Sequence, residues 1–227
     1  RAPRYETPPG SFLARREGST SQNNVPFSPT SQWAIGPDAR FVYGRSDAYA
    51  IYRELPDGRV MRIEREADPV PVSAEEREEN EARSTWQMRT VDPAWRWNGP
   101  PIPETKPYFK RLRVAQDGRL WVQLSEPGEI DPSVDSTQAT GGATGTGAAG
   151  APPSGNRRPA VRYREPQVWD VFAPDGRYLG QVQFPHAFTL YAMRGDQVWG
   201  VQRDELDVQS IVRMRVDPSL VTRPADP

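Results

Sequence analysis

Cysteine is absent and histidine occurs once, at His186. These two absences exclude disulfides, thiolate nucleophiles, iron–sulfur clusters and the four-ligand nitrogen and sulfur sites that hold structural zinc. Lysine is nearly missing: of 29 basic residues only Lys106 and Lys110 are lysines, a usage that points to a GC-rich, bacterial coding source. Neither charge is in surplus, with 29 basic against 30 acidic side chains, so nothing in the chain as a whole draws it to nucleic acid. No apolar run approaches the roughly 18 residues of a membrane-spanning helix. Hydrophobic residues make up 36% of the chain, a thin supply for a core.

Proline and glycine are plentiful instead, 25 and 18 in 227 residues, which interrupts the chain too often for a helical bundle. They recur in one kind of turn: Pro37-Asp38-Ala39-Arg40, Pro56-Asp57-Gly58-Arg59, Gln116-Asp117-Gly118-Arg119, Pro174-Asp175-Gly176-Arg177 and the variant Arg194-Gly195-Asp196-Gln197. Asp-Gly tolerates the positive φ of a tight hairpin, and a preceding proline presets the way in. The flanking runs are short and rich in β-branched and aromatic residues, for example Val168-Trp169-Asp170-Val171-Phe172 before one turn and Tyr178-Leu179-Gly180-Gln181-Val182 after it. Such runs predict antiparallel strands.

Tyr43, Trp121 and Trp199 each follow an apex and are read as equivalent positions. Two hairpins per unit then give about three units, each approaching the roughly 40–45 residues of a four-stranded propeller blade once insertions are removed. The predicted fold is all-β, a partial β-propeller over residues 25–216, with residues 1–24 an irregular segment trailing from a preceding blade and 217–227 a tail. Two insertions interrupt it. Residues 66–106 carry a predicted helix from Ala74 to Met88, opened by a Ser73–Glu76 capping box and supported by a Glu79–Arg83 pair. Residues 127–165 hold a Gly/Ala/Thr-rich tract that reads as disordered. In a meander all Asp-Gly apices share one face, so both insertions decorate the other, along with the loops Arg45-Ser46-Asp47 and Arg203-Asp204-Glu205.

The chain resembles a group of bacterial six-bladed β-propeller proteins, loosely akin to NHL-repeat and TolB-like propellers. The residues that carry this are Pro26-Phe27-Ser28-Pro29, Trp33-Ala34-Ile35-Gly36-Pro37-Asp38, Ile102 to Pro107 running on to Trp121-Val122, Trp169 to Gly180, and Asp204 to Val208. They are structural motifs and transfer no catalytic residue. Ala39 departs from the group's pattern, which has glycine there, and the Gly/Ala/Thr tract is a second departure. The resemblance implies half of a six-bladed ring, the C-terminal half of a longer, exported chain, periplasmic, secreted or lipoprotein. Its first partner would be the rest of its own propeller.

No catalytic or metal site is expected and no cofactor: His186 has no second member in view, and no nucleophile elbow, phosphate loop or calcium loop occurs. Propeller lactonases build a metal site from Glu, Asn and Asp, yet Asn23, Asn24, Asn80, Asn98 and Asn156 all fall outside the predicted blade strands. The expected role is therefore non-enzymatic, a binding or scaffolding module for a protein, peptide or glycan, with a lactonase-like hydrolase or lyase as the alternative. The candidate contact residues are Trp86, Trp95, Arg96 and Trp97 of the insertion, with Arg45, Asp47, Arg203 and Asp204 on the same face. Burial of the indoles as anchors is the competing reading of that cluster.

Overall fold

The computed structural model describes residues 10–131, 158–204 and 208–217. It opens on a hairpin, β1 (Ser11–Arg16) and β2 (Ser19–Asn24), paired from Ser11↔Asn24 to Arg16↔Ser19. Residues 11–24, expected to be irregular, are therefore a paired hairpin. The second strand, Ser-Thr-Ser-Gln-Asn-Asn, has no apolar alternation, so its pairing is imposed by what the first strand buries.

Three meander sheets follow. The first is β3 (Ser31–Ile35), β4 (Phe41–Arg45), β5 (Ala50–Glu54) and β6 (Val60–Glu64), in that spatial order. After helix α1 (Ala74–Arg89) comes the second, built from β7 (Phe109–Val114) and β8 (Leu120–Leu124). A two-stranded ribbon, β9 (Glu129–Ile130) with β10 (Tyr163–Arg164), stands between β8 and the sheet's last strands, β11 (Gln167–Phe172) and β12 (Tyr178–Phe184). The third is β13 (Phe188–Arg194), β14 (Gln197–Arg203) and β15 (Gln209–Arg215), with three strands among the described residues. The Gly/Ala/Thr tract lies outside the described residues.

Alternating side chains give each sheet two faces. In the first, Val42, Ile51 and Ile63 are buried and meet Phe109, Leu112, Val122 and Phe172 of the second. The other face of the second sheet presents Trp121, Trp169 and Val171 to Phe188, Leu190, Met193 and Val198 of the third. Strand β11 is sandwiched by both contacts and is buried from Val168 to Phe172. Sheets in chain order thus stack face to face, with β3 and β7 side by side at their inner edges. This is the architecture of a partial β-propeller.

A buried polar cluster sits inside the first inter-sheet layer. Asp170 is fully buried and accepts from Tyr49 Oη at 2.7 Å, Tyr178 Oη at 3.1 Å and the Arg65 guanidinium. Burial, then the Asp170 charge, pushes the Tyr49 hydroxyl well above its ordinary pKa and Tyr178 up to about 12.

The predicted turns close the sheets as expected. At four apices the aspartate accepts a backbone N–H two residues on, as Asp57 does from Arg59 at 3.0 Å and Asp175 from Arg177 at 3.0 Å. Neighbouring apices touch: Gly195 N donates to Asp117 Oδ2 at 2.8 Å, and Arg40 to Pro56 O at 3.2 Å. They share one face, which leaves the helix, the ribbon and the remaining loops on the other.

Candidate binding cleft on the loop-bearing face

Helix α1 starts where its sequence says. Ser73 Oγ accepts from Glu76 N at 3.1 Å and Glu76 Oε2 accepts from Ser73 N at 3.2 Å, completing the capping box. Its other oxygen, Oε1, accepts from Lys106 Nζ at 2.5 Å, so one carboxylate both caps the helix and fastens it to the segment entering the second sheet. Lys106 is wholly buried and donates also to Glu126 O at 2.8 Å and Glu165 Oε1 at 3.2 Å. Lys110 donates to Glu165 Oε2 at 2.6 Å. Burial and the nearby Glu165 charge raise the Glu126 carboxyl above its usual range. Both lysines of the chain therefore meet on one glutamate beside the ribbon.

The helix also reaches the ribbon directly. Glu79 Oε2 accepts from Arg162 N at 2.7 Å and makes no ion pair with Arg83 among the described residues, which corrects the expected i,i+4 pair. Between helix, ribbon and inner strands lies a cleft of about 480 Å³, lined by Glu79, Asn80 and Arg83 of α1, Lys110 and Arg111 of β7, and Tyr163, Glu165 and Gln167 across it. No carboxylate partner to Arg83 or Arg111 is found among the described residues. A second cavity of about 480 Å³ shares Arg111 and continues between β3, β7 and β13 along Ile35, Arg113 and Tyr191.

A third cavity, about 510 Å³, adjoins the first along Arg164–Gln167 and Thr189. His186 and Arg203 line it. His186 Nε2 stands 3.5 Å from Oδ1 of buried Asp131, whose Oδ2 pairs with Arg164 Nε at 2.7 Å. The histidine that had no visible second member in the sequence thus has a carboxylate 55 positions away in the chain. Among the described residues no three His, Asp or Glu side chains gather in a group able to hold a metal ion.

The contact residues expected from sequence do not form one patch. Trp95 is 4% exposed, its indole N–H donating to Leu13 O at 2.8 Å and its ring 5.7 Å from Phe12. Half-buried Trp97 packs tilted against Phe12, ring centres 4.8 Å apart, and lies 6.2 Å from Trp95, while Arg96 between them is exposed. These two indoles fasten the insertion to the β1–β2 hairpin. Trp86 is apart from them, 5.9 Å beneath the Arg158 guanidinium. Arg45 and Asp47 pair with each other at 2.5 Å. Arg203 reaches the third cavity, and Asp204 Oδ1 accepts from Val208 N at 2.9 Å within its own loop.

The cleft-lining residues Arg83, Lys110, Arg111 and Glu165, and Lys106 buried behind them, are not among the contacts that the sequence suggests. One signal was present in the sequence: the only two lysines among 29 basic residues stand four apart.

No family model matches the chain, and no curated protein matches it. Among solved structures, selenomethionine-substituted virginiamycin B lyase from Staphylococcus aureus is similar at 12% identity and a TM-score of 0.28, over 92% of this chain and 65% of that one. The chain thus spans less than two thirds of that protein's length.

Proposed function

We propose that the protein is a propeller binding and scaffolding module, in a ring completed by further blades, whose loop-bearing face takes a protein, peptide or glycan. The supporting observation is the cleft between α1, the β9–β10 ribbon and the inner strands. Its walls are locked by the buried Lys106–Glu76–Glu165 cluster, so a ligand would meet preset geometry and pay little ordering entropy. Its spare cations, Arg83 and Arg111, have no carboxylate partner among the described residues.

The test is a peptide and glycan array probed with wild type, with Asn80→Trp, which fills the cleft, and with Asp57→Arg on the turn face. Ligands held by wild type and Asp57→Arg but lost by Asn80→Trp support the reading. Equal retention by all three overturns it.

The alternative, a hydrolase or lyase, draws on the His186–Asp131 contact alone. It requires His186→Ala to abolish a turnover that Asn80→Gln leaves measurable.

A further inference from the structure

We propose that the groove between β7 and β13 binds an acidic peptide in extended form, its carboxylates pairing with Arg111 and Arg113. The proposal rests on the binding-module reading and extends it to the groove that adjoins the cleft at Arg111.

Register places the two arginines. Arg111 stands opposite Gln123 and Arg113 opposite Trp121, so both project from the sheet face turned toward the third sheet. Two residues apart on one strand, their Cα atoms are about 7 Å from each other. Two like charges held on one face repel unless an anion lies between them.

No carboxylate supplies that anion among the described residues. Arg113 donates to Tyr191 O at 3.3 Å, and its Nε is buried without an acceptor. Burial, followed by the charge of Arg111, lowers the Arg113 pKa, the direction expected of a cation short of a counter-ion. The acids at the cleft mouth are already committed: Glu165 to both lysines, Glu79 to the Arg162 amide. A half-buried guanidinium with an unsatisfied N–H is costly, and a carboxylate that accepts from it recovers that cost.

Shape favours a peptide over a sugar. β7 and β13 are each the terminal strand of their sheets; the β13 carbonyls of Tyr191 and Met193 already accept from Arg113 and the Gln116 amide, so β7 offers the freer inner edge among the described residues. An extended chain can add hydrogen bonds along such an edge. Acids at alternate positions would meet arginines at alternate positions, and the intervening side chains would meet Ile35 and Tyr191, 52% and 62% exposed. No indole lines the groove, and Trp121, opposite Arg113, is buried and offers no ring face on which a sugar could stack.

Fluorescence anisotropy on the full chain tests this with labelled Glu-Val-Glu-Val-Glu, its Gln-Val-Gln-Val-Gln counterpart and oligogalacturonate. The expected result is binding of the acidic peptide at least tenfold tighter than the amide peptide, weakened about tenfold by Arg111→Gln and further by Arg111→Gln with Arg113→Gln. Arg111 is exposed, so the single variant keeps the test open should the double variant fail to fold. Equal binding of both peptides overturns the acidic preference and leaves the binding module standing. Preference for oligogalacturonate overturns the peptide. Absence of binding by all three probes overturns the proposal, and the array decides separately whether the module reading survives.

Discussion

Ala39 occupies a hairpin apex whose counterparts are Gly58, Gly118 and Gly176, and like them it has positive φ, 60° against 83° at Gly58. A Cβ in the left-handed region costs about 1–2 kcal/mol, partly offset by the lower entropy of the unfolded chain when glycine is absent. Ala39→Gly is therefore expected to stabilise the protein by about 0.5–1 kcal/mol, read from the midpoint of urea unfolding. The turns were legible because each is decided by four adjacent residues. Lys106 was not, because its partners Glu76 and Glu165 stand 30 and 59 positions away. Lys106→Met strands the buried Glu76 carboxylate and should cost about 3–5 kcal/mol in urea unfolding, with Lys106→Met/Glu76→Gln recovering part of it. Tyr178 gives the pH dependence. Its folded pKa of about 12 lies above the ordinary 10.0, and that of Tyr49 is raised in the same direction. Both stay protonated in the fold while the unfolded chain ionises, so their contribution is complete below pH 10 and falls above it, the Tyr178 part being lost as pH climbs through about 12. Alkaline titration followed by tyrosinate absorbance and near-ultraviolet dichroism should show stability falling over that window and less steeply in Tyr178→Phe.

Among elements, helix α1 was the most readable, since its start depends on Ser73 and Glu76 three residues apart; it runs one residue beyond the expected end, to Arg89. The β1–β2 hairpin was the least readable. Its pairing depends on Phe12 and Ala14, which pack with Met88, Trp95 and Ile102 from the distant insertion. The indoles of that insertion had two readings in sequence, contact patch or anchor, and the structure makes Trp95 an anchor. Trp95→Ala is expected to cost about 3–5 kcal/mol through the cavity left behind. Because the hairpin packs on the insertion, the loss should be local: hydrogen exchange should accelerate over 11–24 and 90–102 while β11 keeps its protection. Uniform acceleration across all three sheets would show the hairpin and blades to be one cooperative unit.

For the whole molecule, face assignment was the part of the plan that sequence carried furthest. Hairpin apices at regular places fix which loops lie opposite them, and the cleft indeed lies on the side away from the Asp-Gly turns. Which residues line it could not be read, because helix, ribbon and inner strands converge from separated stretches of chain. The outer face of the first sheet carries a cross-strand row, Trp33, Tyr43, Tyr52 and Arg62, with Trp33 58% exposed, and on the third sheet Ile211 is 87% exposed. Apolar residues on both terminal sheets are what a face needs if further blades are to pack against it. The central claim, that recognition belongs to the loop-bearing side at the inner strands, is tested most directly by hydrogen exchange with and without saturating Glu-Val-Glu-Val-Glu. The account predicts added protection in β7 and β13 alone. Protection centred on the turns at 56–59, 116–119 and 174–177 would contradict it.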